Sequence, residues 1–393
     1  MGDDAVARRG PACLVTGSLH TTRQPVTGVR SLSSPMLHEH HNTFPKEGRH
    51  SMTFSHRRAF GVAIVAIAVA TMPLAAQGSP SPWSVGATVY AQYVFQMKDT
   101  ASPKQNNFDV TRGYVNLIGR FSGGVYTRLT VDLFSVTGAA GNATGSYAYR
   151  LKYAYAAWTP TNSPLTYRFG MTQTPWLDWE EALWDYRMQG TMAMDRNGYL
   201  TASDLGFAID GKWNSDRVNF SADVVNGQGY HATSDGHKDV QGRLSVRVMD
   251  TNDSSRVGGL RVTAYAATGK PSGGGTRNRV LGMLSYRSKE YTLAAEAAAT
   301  RDSTAGVLRD GHVYSAFGVY HVPRSGVSVI ARVDAVTPTV GGNRQTRYIA
   351  GISYQINPQL RALLDWDYLN YQTQPTPLDR FRSQALFQTQ FVF

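Results

Sequence analysis

Cysteine is almost absent from this chain of 393 residues. The single one, Cys13, lies in a stretch that reads as preceding the folded part. The body of the protein therefore has no disulfide framework, no thiolate zinc site and no cysteine nucleophile. Charge is scarce too, with Asp, Glu, Lys and Arg making up 17% of the residues, against roughly a quarter in ordinary soluble domains. No apolar run reaches the roughly 20 residues that a helix needs to cross a bilayer. Between Trp83 and Phe393 there is no helical periodicity and no linker-like break, so one large domain is expected despite a length that would allow two or three. Glycine-rich phosphate loops in a strand–helix context are missing. Beyond the leader the only histidines are His231, His237, His312 and His321, too scattered to suggest a Ser–His–Asp arrangement.

Alternation of apolar and polar residues is what fills the chain instead. Sixteen segments show it, at about 83–98, 108–121, 124–137, 146–159, 165–171, 204–214, 217–226, 239–250, 257–268, 278–287, 290–300, 312–321, 326–337, 345–355, 360–372 and 380–393. Period two means strands with one apolar and one polar face. Short connections such as Ser122-Gly123, Ser215-Asp216 and Ser288-Lys289 alternate with long ones, and 251–256 is the one short connection that runs long. That rhythm predicts an all-β, transmembrane, antiparallel up-and-down barrel of about 16 strands, with both termini on the periplasmic side. Parity sets Val125, Leu129, Val131 and Leu133 against Tyr126, Arg128, Thr130 and Asp132, and sets Val240, Leu244, Val246 and Val248 against Gln241, Arg243, Ser245 and Arg247. Regular Arg and Asp on the polar face point to a wet lumen rather than to the core of a soluble sandwich.

Ahead of the strands, residues 52–78 have the form of a cleaved signal peptide. His56-Arg57-Arg58 supply its positive end, Ala59 to Leu74 its apolar run, and Ala76-Gln77-Gly78 its small residues. Residues 1–51 are polar and without period, and are read as a mis-called start or a disordered extension. The same applies to their His38-Glu39-His40-His41 cluster, which is not taken as a metal site. The folded part is then 79–393. Lys and Arg number 39 and Asp and Glu 28, of which 8 and 4 fall in residues 1–78, leaving 31 against 24 spread over many strands. A nucleic-acid partner would call for a local basic stripe, and none is present.

The lumen inventory carries the functional clue. Parity turns Arg112, Arg120, Arg128, Arg150, Lys152, Arg168, Lys212, Arg243 and Arg247 inward, and cations outnumber acids there. A narrow aqueous pore lined in this way concentrates anions, and the guanidinium fork suits oxyanions. Bracing of the wall by Arg–Asp pairs accounts for part of the same list. Between the strands ending at Met171 and starting at Asp204 lies a stretch of about thirty residues, rich in Trp and acids. It is long enough to fold into the lumen as a constriction, presenting Trp176, Asp178, Trp179, Glu180, Glu181 and Asp185. Its paired carboxylates have no histidine beside them and no ligand spacing, so neither a glycosidase nor a metal centre is read there, and no cofactor is expected. At the far end, Phe381, Ala385, Phe387, Phe391 and Phe393 share one parity. A final strand ending on Phe resembles the signal by which outer-membrane barrels meet their assembly machinery.

Three stretches together resemble the phosphate-selective porin O and P family of Gram-negative outer membranes. They are Phe108-Asp109-Val110-Thr111-Arg112-Gly113-Tyr114-Val115, Leu165 through Gly170 to Pro175-Trp176, and Ala202-Ser203-Asp204-Leu205-Gly206-Phe207. The resemblance spans roughly Trp83 to Phe393. It implies a sixteen-stranded porin surrounded by outer-membrane lipid, trimeric, without a cofactor, passing small anions, phosphate or polyphosphate. Two departures stand out: Ser203 occupies a place that is often basic in the family, and the long loop has no lysine cluster. The alternatives to a porin are an outer-membrane hydrolase and a non-conducting structural barrel.

Overall fold

A computed structural model describes residues 81–393 apart from 100–105, 137–144, 232–234, 272–273, 305–306, 309, 339–341 and 376–378. The leader at 52–78 and the segment 1–51 lie outside the described residues. The chain runs β1(Trp83–Lys98), β2(Asn106–Phe121), β3(Val125–Ser135), β4(Tyr147–Trp158), β5(Leu165–Gln173), α1(Pro175–Leu183), α2(Ala193–Arg196), β6(Ser203–Trp213), β7(Val218–Val225), β8(Asp239–Met249) and β9(Gly259–Gly269). It continues with β10(Gly275–Arg287), β11(Tyr291–Thr304), the two-residue β12(Val307–Leu308), β13(Gly311–His321), β14(Val327–Pro338), β15(Gln345–Gln355), β16(Leu360–Tyr371) and β17(Phe381–Val392).

Every neighbouring pair is antiparallel, and β1 closes the ring on β17 with Thr88 opposite Val392. Leaving aside β12, which is an ornament on the β11–β13 connection, the wall has sixteen strands, as the alternation predicts. Closure leaves no unpaired edge, which is what a bilayer demands of a β-structure. The tight turns gather at one rim. Gly123 and Gly124, with φ of 71° and 76°, make the β2–β3 turn in a region that side chains avoid. The 250–258 turn is the outlier there, longer than the 270–274 loop at the opposite rim.

Outside the wall lies an apolar belt that includes Val240, Leu244, Val262, Leu284, Leu293, Val329, Ile352 and Leu364, all exposed. Aromatic rings flank it. Trp83 with Phe121, Trp158 with Tyr167, and Tyr291 with Tyr320 sit at the turn rim at centroid distances of 5.2, 6.0 and 4.9 Å. Trp366, Tyr368 and Phe381 form a run at the other rim. An exposed belt of this kind is costly in water and stable in hydrocarbon, with amphipathic rings at the two interfaces. Phe387, Phe391 and Phe393 are on this outer surface, and Gln388 of the same strand points inward.

The core is inside the barrel and is built by the 174–202 connection. Sequence reading takes this stretch as a bare loop, but it contains α1, with Pro175 at the first helical turn, where its missing N–H costs nothing. A single apolar stripe is what betrays a helix in sequence, and α1 has none. It buries Trp176, Leu177, Trp179, Glu180 and Leu183 around most of its circumference.

Candidate functional site

The connection from β5 to β6 enters the lumen and is held by residues from distant strands. Trp176 packs on Tyr265 (5.6 Å) and Trp184 on Phe317 (5.2 Å). Arg243 lies over the Trp179 ring at 4.0 Å and donates to the Pro175 carbonyl at 3.0 Å. Arg287 donates to the Ala182 carbonyl at 2.7 Å, Tyr186 bonds Ser353 at 2.7 Å, and Gln388 donates to the Met188 carbonyl at 2.8 Å. These anchors come from β8, β10, β15 and β17, so the segment lies along much of the inner wall.

The acids of this segment have partners other than the arginines of the early strands. Asp178 pairs with Arg256 at 2.6 Å, Glu181 with Arg187 at 3.1 Å, and Asp185 with Arg361 at 3.2 Å. Burial alone would raise the Asp178 carboxyl, but the Arg256 guanidinium outweighs it and holds the group below its ordinary value. Glu180 has no basic partner among the described residues.

The nine inward cations fall into distinct settings. Arg112 and Arg150 both bind Asp132, at 2.7 and 2.8 Å, so the trio keeps one net positive charge. Arg168 is paired with Asp210 at 2.7 Å. Arg247 holds the Ser215 carbonyl and lies 3.3 Å from Asp250, tying down a turn. Arg243 braces the internal segment. The remaining four have no carboxylate within ion-pair distance among the described residues. Arg128 donates to Asn116 and Thr130 and lies 4.6 Å over the Tyr153 ring. Lys152 is 3.3 Å from the Tyr114 hydroxyl, Arg120 is 5.6 Å from the Tyr126 ring centre, and Lys212 is exposed to the lumen.

Two cavities flank the internal segment in this sector. Toward the turn rim, one of about 510 Å3 is lined by Arg128, Arg168, Lys212, Arg243 and Arg256, against Asp178 and Asp210. Toward the other rim, one of about 310 Å3 is lined by Arg112, Arg187, Arg196 and Arg347, against Asp367. Crowding there is enough that burial, then Arg347 and Arg332, push Arg196 down to about 9. The sequence reading missed Arg187, Arg196 and Arg256. They sit in connections, where strand parity assigns no direction.

A histidine–serine pair also escaped it. His321 Nδ1 lies 2.8 Å from Ser328 Oγ, across the β13–β14 turn. No carboxylate bonds the other ring nitrogen among the described residues, and the third member of a hydrolytic triad is missing there. The described residues contain no group of three or more His, Cys, Asp or Glu side chains arranged to hold a metal ion.

No family model matches the chain, and neither does any curated protein. Solved structures do. The anion-selective porin from Comamonas acidovorans superposes with a TM-score of 0.62 at 12% identity, covering 79% of this chain and 99% of that one. Salmonella typhi OmpF in complex with daunomycin gives 0.57 at 13% identity over 79% and 97%, and the outer-membrane channel DcaP of Acinetobacter baumannii gives 0.55 at 10% over the same shares. The fold is that of these porins.

Proposed function

We propose that this chain forms a passive, water-filled channel of the outer membrane for small hydrophilic solutes, with a preference for anions. The observation that carries this reading is the excess of cations in the two cavities beside the early strands, five to two in one and four to one in the other, whereas a third cavity against residues 198–201 has three acids to two cations. Sixteen strands leave room for water, whereas eight would be filled by side chains. The internal segment then narrows that space. The path we infer runs along β1–β6, past Arg112 and Arg150, to Arg128 and Lys212. Phosphate or polyphosphate as solute rests on the family resemblance and on the match between guanidinium forks and oxyanions. A homotrimer, export on the 52–78 signal, and insertion by the assembly machinery through the Phe387, Phe391 and Phe393 face belong to the same reading. Among the similar structures is a trimer form of Vibrio cholerae OmpT.

Reversal potential in a planar bilayer under a salt gradient tests the proposal. The expected result is conductance steps with anion preference, reduced by added phosphate. The double variant Arg128→Gln/Lys212→Gln removes two charges that no acid offsets. At an effective dielectric near 20 and roughly 8 Å from a passing ion, each is worth about 1 kcal/mol once ~0.1 M salt screens it. The anion-to-cation permeability ratio should therefore fall by roughly tenfold or more. A folded barrel that shows no steps would overturn the channel reading, and an unchanged ratio in the variant would remove these two side chains from the path.

A further inference from the structure

Glu180 of α1 and Glu296 of β11 face each other inside the barrel, within side-chain hydrogen-bonding reach. Glu180 is wholly buried and Glu296 is 5% exposed; none of their four carboxylate oxygens has a well-formed hydrogen bond, and the one donor near them is the Trp176 indole N–H, beside Glu296. The strand neighbours directly opposite Glu296 are Met283 on β10 and Ser315 on β13, neither of them charged. The charged groups beside the pair are Arg332 and Asp334 of β14, and Arg196 of α2 joins them through Asp334. Both guanidinium groups are turned to Asp334, Arg332 at 2.8 Å and Arg196 at 3.8 Å, and the Ser315 hydroxyl also donates to it. Three carboxyl groups thus meet two cations, and the two that face each other have no charged donor between them. The cluster becomes neutral, and the facing oxygens become bonded, when one proton is added.

We propose that Glu180 and Glu296 form a proton-binding site, and that the proton they share latches α1 onto the β11 wall. Two like charges cannot both persist at such a place, because each lacks solvent and each raises the energy of the other. Burial, and next the Glu296 carboxylate, hold Glu180 well above the usual carboxyl value. The direction of the pH effect follows from that. Docking of α1 is complete below the ordinary carboxyl value, where the proton is bound whether or not the helix is docked. It weakens as pH rises toward the raised value, where staying docked means either keeping the proton or confining two anions. The site is a proton site rather than a cation site because the third carboxylate, Asp334, is taken up by Arg332, Arg196 and Ser315, and among the described residues no three His, Cys, Asp or Glu side chains are arranged to hold a metal ion.

The test reads tryptophan emission of the folded barrel in detergent, and therefore does not depend on conduction. Trp176, Trp179 and Trp184 are buried beside the pair, and the other four tryptophans lie on the outer surface. Between about pH 5 and about pH 9, the span from an ordinary carboxyl to a deeply buried one, wild-type emission should shift to longer wavelength as the helix leaves the wall. Glu180→Gln puts a permanent amide donor opposite Glu296, and its emission should stay flat, with β-sheet circular dichroism confirming the fold. Glu296→Gln supplies the same donor from the other side and serves if the first variant does not fold. A flat wild-type response overturns the latch, as does a wild-type-like titration in both variants. A shift produced at constant pH by calcium or by a chelator also overturns it, by assigning the pair to a metal ion.

Discussion

Replacing Trp179 with alanine should widen the channel without unfolding the barrel. The indole is fully buried, and three guanidinium groups lie over it, Arg243 at 4.0 Å, Arg261 at 5.4 Å and Arg256 at 5.8 Å. Removing a buried Trp costs about 3–5 kcal/mol through lost transfer energy and the cavity left behind. Here that loss falls on the docking of the internal segment, because the wall strands bond to one another and not through it. The Arg243 bond to the Pro175 carbonyl is strained by the same change, which releases the start of α1. Single-channel recordings should show larger and less steady conductance than wild type, and protease should cut within 174–202 while the sheet signal in circular dichroism persists. A variant with wild-type conductance and an uncut segment would mean that the remaining anchors, Trp184 on Phe317 and Tyr186 on Ser353, suffice without it.

The wall was legible in the sequence because a strand declares its two faces at every second residue. Val240, Leu244 and Val248 read outward and Gln241, Arg243 and Ser245 inward from parity alone, and burial along β8 follows that division. The internal segment was legible as an object but not in its contacts. Its length and its Trp-rich composition set it apart, yet Arg243, Arg287 and Arg361 reach it from 68, 105 and 176 positions away. Nothing in local spacing links Asp185 to Arg361 or Asp178 to Arg256. Glu296 could be read as an inward acid, but the carboxyl group opposite it, Glu180, belongs to a helix whose direction no parity gives. Charge balance is hidden for a related reason. Arg112, Arg128 and Arg150 look alike in sequence, and only the fold shows that two of them share Asp132 while the third meets amide, hydroxyl and ring partners.

That shared aspartate makes Asp132→Asn the most informative charge change in the wall. Asp132 is fully buried, and its Oδ2 receives Arg112 from β2 and Arg150 from β4, so it joins three adjacent strands at one point. An asparagine of the same shape keeps the packing and removes the charge, leaving two guanidinium groups facing each other. Breaking a buried pair in this way costs about 3–5 kcal/mol, but both arginines are about a quarter exposed to the lumen. Water screens them, and a loss of about 2 kcal/mol in unfolding free energy is the more reasonable expectation. The selectivity change has the opposite sign to that of the Arg128→Gln/Lys212→Gln variant, since the trio rises from one net positive charge to two. The Asp132→Asn barrel should therefore be easier to denature and more anion-preferring at the same time. Raised salt should shrink the selectivity gain far more than the stability loss, because screening acts on the field in the lumen and only weakly on buried contacts. Equal denaturation midpoints for the two proteins would show that the three-strand bridge contributes nothing. An unchanged reversal potential would place Arg112 and Arg150 outside the path of the ion.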